Sequence, residues 1–304
     1  MAKKLISRKI FLTKTLAGIA GIGLVNKTSG AESPTPPVLR NIGETGIRIT
    51  PVGFGAPRTN EESLIRYAVE KGINFIDTGR SYGNGNNERL VGRAVAGIRK
   101  DLVIQSKIRL DADELPSKGK GNKGAEEIKN LLNSRIDASL KALNTDYIDI
   151  LLYHDASEEG LVFHPETMKF FSGLKDSGII KACGFSTHND RMNLPARNNA
   201  EKFYDIIMVP FNHKGSFIHS VSKRYSEWDQ ARLISILEEA GKKGIGVVAM
   251  KTCSGGQYSP SPGVEPGFRE AVKWVLQHKF ISSAAIAMAN FEQVDEFLAC
   301  LAES

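Results

Sequence analysis

The sequence predicts an α/β protein folded as a single (β/α)8 barrel, and three observations support this prediction. Short apolar segments alternate with amphipathic segments about eight times along the 304-residue chain. Two of the apolar segments, Ile148–Tyr153 and Ile245–Met250, are too uniformly apolar for strands with one face in water. Eight strand–helix units within about 250 residues fit a closed barrel better than an open doubly wound sheet.

Each predicted element follows from its local sequence. Residues 32–37 contain three prolines and predict a linker, and residues 38–50 carry Gly43 and Gly46 between apolar residues, which predicts a short β-hairpin. The predicted strands, all short and apolar, are Val52–Phe54, Asn74–Ile76, Leu102–Ser106, Ile148–Tyr153, Ala182–Phe185, Ile206–Val209, Gly246–Ala249 and Ala284–Ala287. The predicted helices, all amphipathic, are Glu61–Lys71, Glu88–Ala96, Ala125–Leu143, Pro165–Ser177, Asp190–Lys202, Gln230–Lys243, Pro266–Gln277 and Phe291–Leu301, and Asn86 or Asn87 is expected to cap the second of them.

Three connections are longer than the rest. They are Ile108–Gly124, Lys214–Asp229 and Ser254–Glu265, and each follows a predicted strand. In a barrel, loops that follow strands rise from the carboxyl-terminal face, so these segments are expected to form the walls of a substrate pocket. The first of them contains several lysines and could equally be a solvated loop.

The charge of the chain is concentrated near its N-terminus. The formal net charge is +6, and residues 1–31 contain six basic and no acidic residues, so residues 32–304 have a net charge of zero. The body therefore gives no electrostatic reason to expect nucleic-acid binding. The three cysteines, Cys183, Cys253 and Cys300, are widely spaced and predict neither a disulfide framework nor a metal site.

Residues 1–31 are predicted to be a signal peptide, which leaves residues 32–304 as the barrel domain. The segment Ser7–Leu12 resembles a twin-arginine export signal with Lys9 in place of the second arginine, and Ser29–Ala31 offers small residues for cleavage. The apolar run between them is too short to span a bilayer comfortably. We therefore expect export in the folded state to the periplasm or another extracytoplasmic place, through the export machinery. An ordinary secretory signal and a retained amphipathic anchor remain open, and the protein would be cytoplasmic if the leader does not function.

Four side chains that can carry chemistry lie at or just past the ends of successive predicted strands. They are Asp77, Tyr82, Lys107 and His154. Parallel α/β folds place their active sites at this end of the strands, so the four are expected to meet in one pocket. Taken singly, Asp77 could cap a turn, Tyr82 could pack at the barrel rim, Lys107 could be a surface charge and His154 could be a core histidine. Residues with purely structural roles can resemble those of an active site.

The four-residue pattern resembles the catalytic tetrad of the aldo-keto reductase family. The resemblance extends from about residue 38 to the end of the chain and includes Gly53-Phe-Gly55, Gly184-Phe-Ser186, Phe211-Asn212 and Gly255-Gly256. It implies reduction of an aldehyde or ketone by hydride from NAD(P)H, with a small carbonyl compound as substrate. Tyr82 would be the general acid, Lys107 the cation beside it, Asp77 the partner of that lysine, and His154 the group that orients the carbonyl.

The resemblance also implies a set of cofactor-binding residues. They are Gly55, Ser186, Asn212, Lys251, Gly255, Asn290 and Gln293. Two positions depart from the family pattern: Met208 stands where a glutamine is usual, and Asn290 stands where relatives that prefer NADP(H) carry a base. A 2′-phosphate favours a cationic partner, so NADP(H) is expected from the resemblance and NAD(H) remains possible.

Other interpretations of the sequence remain open. A catalytically silent nucleotide-binding subunit or sensor on the same fold would also explain the altered cofactor positions. His188 and His213 follow strand ends and could join Asp77 and His154 in the metal site of a hydrolase, although the first strand offers no ligand. The match of Gly119–Gly124 to Gly-x-Gly-x-x-Gly lacks the tight strand-to-helix context of a dinucleotide fold and is read as coincidence. No helical interaction stripe is evident, which favours a monomer.

Overall fold

The computed structural model describes residues 38–110, 122–156, 159–219 and 222–302, and its centre is a closed barrel of eight parallel strands. The strands are β1 (Arg40–Asn41), β2 (Arg48–Ile49), β3 (Val52–Gly55), β4 (Phe75–Asp77), β5 (Val103–Ile108), β6 (Ile148–Tyr153), β7 (Ile180–Ser186), β8 (Ile206–Pro210), β9 (Ser216–Ile218), β10 (Tyr225–Glu227), β11 (Gly246–Met250) and β12 (Ile281–Ala287). The helices are α1 (Glu62–Glu70), α2 (Asn86–Ala94), α3 (Asn122–Leu143), α4 (Glu159–Val162), α5 (Pro165–Asp176), α6 (Asn193–Glu201), α7 (Gln230–Lys242), α8 (Phe268–Leu276) and α9 (Phe291–Ala302). The predicted (β/α)8 fold is confirmed.

The barrel runs β3-β4-β5-β6-β7-β8-β11-β12 and closes where β12 pairs with β3. Glycine is required at this seam, because a Cβ on Gly55 would lie 2.9 Å from the backbone carbon of Ile286. The neighbouring Gly53 leaves room for the Phe75 ring, which would meet a Cβ at 2.4 Å. The Gly-Phe-Gly sequence of the first barrel strand is therefore explained by close packing of the barrel wall.

Two apolar cores hold the molecule together. The larger core lies between the strands and the helices, and the smaller one fills the barrel interior with side chains such as Phe75, Ile150 and Met208. The predicted N-terminal hairpin is confirmed: β1 and β2 pair antiparallel, and Ile42 and Ile49 belong to the interior core. The hairpin therefore covers the amino-terminal end of the barrel and leaves the other end for the site.

The structure differs from the sequence prediction in several local details. The predicted loop 214–229 contains a second antiparallel hairpin, β9–β10, in which Ile218 is paired with Tyr225. The predicted cap by Asn86 or Asn87 is wrong. Asn86 is the first residue of α2, the capping position is Gly85 with φ of 82°, and the Asn87 side chain is buried in contacts elsewhere. Glycine reaches this left-handed conformation without steric cost, so it suits the position at which the chain enters the helix.

Some predictions lie outside the described residues. These are the leader 1–31, the linker 32–37 and most of the loop 108–124; the end of that loop, Asn122–Gly124, is part of α3. Among the helices that the structure describes, none is long and apolar enough to cross a membrane. Cys183, Cys253 and Cys300 form no disulfide bond with one another, and burial raises the pKa of Cys183 to about 12.

Candidate active site

The structure brings the four predicted residues together at the carboxyl-terminal end of the barrel. Asp77 is the last residue of β4, Lys107 is next to last in β5, and His154 directly follows β6. Tyr82 lies in the loop after β4, and its ring meets the His154 ring edge-on at 5.4 Å between centroids. The Lys107 ammonium is 4.9 Å from the centroid of the same tyrosine ring.

Asp77 and Lys107 form a buried ion pair. Their exposed fractions are 3% and 1%, and Lys107 Nζ lies 2.5 Å from Asp77 Oδ1. The ammonium also donates to the carbonyl of Thr78 at 2.7 Å. Burial is the largest single influence and lowers the pKa of Lys107, but Asp77 and Tyr82 together outweigh it and hold that pKa above its usual value. Lys107 therefore stays a cation although it has almost no contact with water.

Tyr82 lies beside this cation. Burial raises the pKa of the Tyr82 phenol above its ordinary value, the charge of Lys107 opposes the rise, and the Asp77 carboxylate adds to it. Burial outweighs the lysine, so the pKa of the phenol is not brought down towards neutral pH. The phenol is thus protonated at neutral pH, and Lys107 is placed to stabilise the phenolate that remains after proton transfer.

His154 is neutral and held in a fixed orientation. Burial, together with the positive charges of Lys107 and Arg109, holds its pKa well below the usual 6.5. The ring is 7% exposed, and its Nδ1 lies 3.0 Å from Oγ of Ser81. In the part of the chain that the structure describes, Nε2 has no hydrogen-bond partner, so this nitrogen is left to contact a ligand.

The loop that carries Tyr82 is fastened by Arg80 and Glu88. The Arg80 guanidinium donates to Glu88 Oε2 at 2.8 Å and to the carbonyls of Asn84 and Ala138. Glu88 is fully buried, and its other oxygen accepts from Ser106 Oγ at 2.7 Å. The sequence analysis placed Glu88 only as a helix residue; in the structure it links the loop to β5, the strand of Lys107.

Gln105 was also missed by the sequence analysis. Its amide Nε2 donates to Asp77 Oδ1 at 2.6 Å and contacts Sδ of Met208 at 3.4 Å. Gln105 precedes Lys107 by two residues, so both point to the same face of β5. The glutamine that the resemblance leads one to expect at position 208 is absent, but a glutamine from another strand reaches the same place. The sequence did contain one signal for Gln105: it is a polar residue two positions before Lys107 in the same predicted strand.

Two of the predicted cofactor residues, Gly55 and Ser186, lie at strand ends facing the site. Ser186 is the last residue of β7, and its hydroxyl accepts from the backbone N–H of Asp155 at 3.2 Å. Gly55 ends β3 and is explained by the packing of β12, as described above. Their position agrees with the predicted role, which no contact in the structure tests.

Asn212 and Gly255 organise the loops beside the site. The Asn212 amide nitrogen donates to the carbonyls of Ser216 and Lys251, and its oxygen accepts from the N–H of Lys214. A Cβ on Gly255 would lie 2.8 Å from this oxygen. Both amide hydrogens of Asn212 are therefore used within the protein, which gives this residue a loop-tying task in addition to the predicted contact with a cofactor.

Lys251 offers an uncompensated charge. It follows β11 with φ of 58°, and its ammonium lies 5.6 Å from the centroid of the Phe217 ring. No carboxylate among the described residues pairs with it. Burial lowers the pKa of Lys251, and the charge of Arg58 lowers it further. A half-buried ammonium near a second cation is a suitable partner for the pyrophosphate of a dinucleotide.

Asn290 and Gln293 form a reciprocal cap at the start of α9. Asn290 Oδ1 accepts from the N–H of Gln293 at 2.9 Å, and Gln293 Oε1 accepts from the N–H of Ala289 at 2.8 Å. This arrangement satisfies N–H groups at the helix start that otherwise lack partners. Asn290 thus has a structural reason to be present where a base was expected.

The metal-site interpretation receives no support from the geometry. Asp77 is bonded to Lys107 and Gln105, and His188 packs edge-on against His219 at 5.8 Å between ring centroids. Within the residues that the structure describes, no group of three or more histidine, cysteine or acidic side chains is arranged to hold a metal ion.

A parallel barrel with a tyrosine, a buried lysine–aspartate pair and a neutral histidine at the carboxyl ends of its strands has the site of an oxidoreductase acting on carbonyl groups. Residues 53–266 match the model of the Aldo/keto reductase family, and the chain belongs to that family.

Individual relatives agree with this assignment. L-galactose dehydrogenase of Arabidopsis thaliana is 25% identical over 305 residues, which cover 87% of this chain and 88% of that protein. The uncharacterized oxidoreductase YqkF of Bacillus subtilis is 31% identical over 155 residues; the match covers 49% of this chain and about half, 48%, of that protein.

Solved structures show the same fold. Aldo-keto reductase AKR11C1 of Bacillus halodurans, in its holo form, superposes with a TM-score of 0.67 and 22% identity over 87% of this chain and 90% of that one. An aldo/keto reductase of Klebsiella pneumoniae in complex with NADP and acetate superposes with a TM-score of 0.63 and 20% identity over 86% of this chain and 89% of that one.

Proposed function

We propose that this protein reduces an aldehyde or ketone to an alcohol with NAD(P)H. The observation that carries the proposal is the cluster of Tyr82, Lys107, Asp77 and His154, in which a protonated phenol, a buried cation and a neutral imidazole converge. The bound dinucleotide supplies a hydride to the carbonyl carbon, which leaves negative charge on the carbonyl oxygen.

Residues of this chain stabilise that negative charge and protonate the oxygen. Tyr82 donates its proton to the oxygen, and Lys107 stabilises the phenolate that results until it takes up a proton from water. Asp77 holds Lys107 charged and aimed, since their atoms are 2.5 Å apart inside the barrel. His154 donates a hydrogen bond from Nε2 to the oxygen and so orients the carbonyl.

The cofactor would lie across Ser186, Asn212, the Lys251–Gly256 segment and the start of α9. Lys251 would contact the pyrophosphate, because its ammonium has no carboxylate partner among the described residues. Neither Asn290 nor Gln293 carries a charge, so we expect only a small preference for NADPH over NADH.

A direct test is titration of the full chain with NADPH and with NADH, followed by quenching of tryptophan fluorescence. We expect binding of both, weakened about tenfold or more in Lys251→Gln, since hydrogen bonds between charged groups are the stronger ones. Lys243→Gln is the matched control, because Lys243 pairs with Glu239 on α7 and should leave both affinities unchanged. If neither dinucleotide binds, the reductase proposal is wrong.

A second candidate is a catalytically silent nucleotide-binding subunit. It is favoured by Met208 in place of glutamine and by the two amide hydrogens of Asn212 that are already used. One relative, a probable voltage-gated potassium channel subunit beta of Arabidopsis thaliana, is 31% identical over 131 residues. This candidate predicts dinucleotide binding without turnover of any carbonyl compound, and assays with a panel of aldehydes and ketones separate the two.

We also propose that the protein is a monomer and that it is exported by the twin-arginine route. The support for export is the Ser7–Leu12 sequence and the concentration of positive charge in residues 1–31. Arg8→Gln together with Lys9→Gln should retain the protein in the cytoplasm on cell fractionation. The matched pair Lys3→Gln and Lys4→Gln removes the same charge outside the motif and should leave export unchanged. Equal export of both variants would contradict the twin-arginine assignment.

A further inference from the structure

The residue before the catalytic tyrosine contacts the catalytic histidine. Ser81 Oγ lies 3.0 Å from Nδ1 of His154, across 73 positions in sequence. A hydroxyl and an imidazole nitrogen at this distance share one hydrogen, and either can be the donor. Which of them donates decides where the ring carries its own proton.

The ring can carry only one proton. Burial and the nearby charges of Lys107 and Arg109 disfavour the imidazolium and hold the pKa of His154 well below 6.5. A neutral imidazole has one N–H donor and one acceptor nitrogen. If Nδ1 accepts from Ser81, the proton is on Nε2; if Nδ1 donates to Ser81, Nε2 presents a lone pair.

Only one of these two states suits the proposed reaction. Nε2 has no partner among the described residues and is the nitrogen left for a ligand. A lone pair on Nε2 would repel the negative charge that develops on a carbonyl oxygen, whereas an Nε2–H would stabilise it. In the described structure, the Ser81 hydroxyl has no acceptor besides His154 Nδ1, so donation to the ring is also the state that uses its hydrogen.

The backbone around Ser81 holds the hydroxyl in this position. Arg80 is fastened to Glu88, and the N–H of Tyr82 donates to the carbonyl of Gly79 at 3.0 Å. On the other side, the N–H of His154 donates to the carbonyl of Ile108 at 2.7 Å, which fixes the start of that residue. The contact between Ser81 and His154 therefore joins two segments whose backbones are both held by hydrogen bonds.

We propose that Ser81 is a positioning residue whose hydroxyl donates to Nδ1 of His154 and so keeps the imidazole proton on Nε2, where it meets the substrate oxygen. This inference rests on the proposed carbonyl reduction. It assigns a task to a serine that contacts neither the hydride nor the carbonyl and acts only through the tautomer of His154.

The experiment compares the wild-type protein with Ser81→Ala and Ser81→Thr by two readouts. Long-range ¹H–¹⁵N spectra of the full chain, with the His154 resonance assigned from its loss in His154→Gln, report the tautomer without any need for activity. Steady-state kinetics with NADPH and an aldehyde report kcat and KM. Ser63→Ala, which removes an exposed hydroxyl on α1, is the control.

We expect Nε2–H in the wild type, a mixture that includes Nδ1–H in Ser81→Ala, and recovery of Nε2–H in Ser81→Thr. The kcat of Ser81→Ala should fall about fivefold to tenfold, the effect expected from one hydrogen bond, with NADPH affinity unchanged. Threonine should restore kcat to within about twofold, because it places a hydroxyl at the same atom.

The proposal is overturned if the wild type carries its proton on Nδ1, or if Ser81→Ala keeps Nε2–H, whatever its kcat. It is also overturned if the tautomer changes and kcat does not. A wild-type protein that reduces no carbonyl compound but shows the serine-dependent tautomer would contradict the proposed function alone. The two failures are therefore distinguishable.

Discussion

Two buried carboxylates lie on strands β4 and β6, which both pair with β5, and they differ in the surroundings of the cations that they bind. Asp149, near the amino-terminal end of β6, is 1% exposed and accepts from Lys181, Arg99 and the N–H of Ile104, at 2.6, 2.8 and 2.9 Å. Asp77, at the carboxyl-terminal end of β4, is 3% exposed and is held by Lys107 and Gln105. Both carboxylates are buried and have close partners, so burial alone does not distinguish them.

The difference lies in the cations. The side chains of Lys181 and Arg99 are 53% and 13% exposed, and both lie over the ring of Tyr147 on the outer side of the barrel. Lys107 is enclosed and lies beside a phenol and a neutral imidazole that face the open end. A buried pair becomes a candidate for chemistry when its cation contacts a group that can transfer a proton.

The largest expected effect separates the two lysines. Lys107→Met should lower kcat by about 10²–10⁴-fold, because the phenolate of Tyr82 loses the charge that stabilises it. Lys181→Met should leave kcat within about twofold, since Arg99 still pairs with Asp149. Kinetics of both variants, with NADPH affinity as the check that the Lys107 variant is folded, decide this prediction. Similar losses in the two variants would contradict it.

The two carboxylates should differ in the property that each one controls, stability for Asp149 and kcat for Asp77. Asp149→Asn leaves two cations without their shared partner and should lower the free energy of unfolding by about 3 kcal/mol, with kcat unchanged in the folded protein. Asp77→Asn should lower kcat by about 10²-fold, because Lys107 loses the charge that keeps it protonated and aimed. Denaturant unfolding and kinetics of each variant provide the measurement. Loss of kcat in Asp149→Asn would remove the distinction between the two sites.

The histidines add a pH dependence at the carboxyl-terminal end. Burial, with the charge of Lys251, lowers the pKa of His188 to about 3, and that of His154 is also well below 6.5. Both histidines bind protons more readily in the unfolded chain than in the folded protein. They therefore do not reduce the free energy of unfolding above pH 6.5, and they reduce it progressively as the pH falls from 6.5 towards their folded pKa values.

We expect kcat to stay level between pH 8 and about 6, because His154 remains neutral there. The midpoint temperature of thermal unfolding should decrease as the pH is lowered below 6.5. His188→Phe should recover about 1–2 kcal/mol of stability at pH 5, since one histidine with a lowered pKa accounts for that amount. Thermal unfolding across this range measures the recovery. An unchanged acid loss in His188→Phe would show that other groups cause it.

The smallest expected effect concerns Asn290. Asn290→Asp keeps an oxygen that can cap α9, so thermal stability should be unchanged, whereas the added negative charge should weaken NADPH binding about threefold to tenfold and NADH binding less. Asn290→Ala should instead lower stability by about 1 kcal/mol through loss of the cap. Equal losses for NADPH and NADH in Asn290→Asp would show that the 2′-phosphate lies elsewhere.

The sequence was sufficient to predict the barrel and the convergence of Asp77, Tyr82, Lys107 and His154 at one end of it. Apolar periodicity predicted Ile148–Tyr153 to the residue, and the tetrad could be read because parallel strands bring their carboxyl ends together. The hairpin β9–β10 was missed because Ser216–Ile218 and Tyr225–Glu227 are too short to show alternation. The contacts of Ser81 and Glu88 depend on the path of a loop with consecutive left-handed residues, and no spacing in the sequence encodes them. Gln105 lies in β5, and its alternate spacing from Lys107 was the only sign of its contact with Asp77.

The central claim is that Tyr82 is the proton donor in a carbonyl reductase, and Tyr82→Phe tests it most directly. The variant should bind NADPH with wild-type affinity, because the ring remains against His154, and should lose kcat by about 10²-fold or more for every aldehyde or ketone that the wild type reduces. Single-turnover oxidation of bound NADPH, followed by its absorbance, gives the rate of the chemical step. A variant that reduces carbonyl compounds as fast as the wild type would contradict the account.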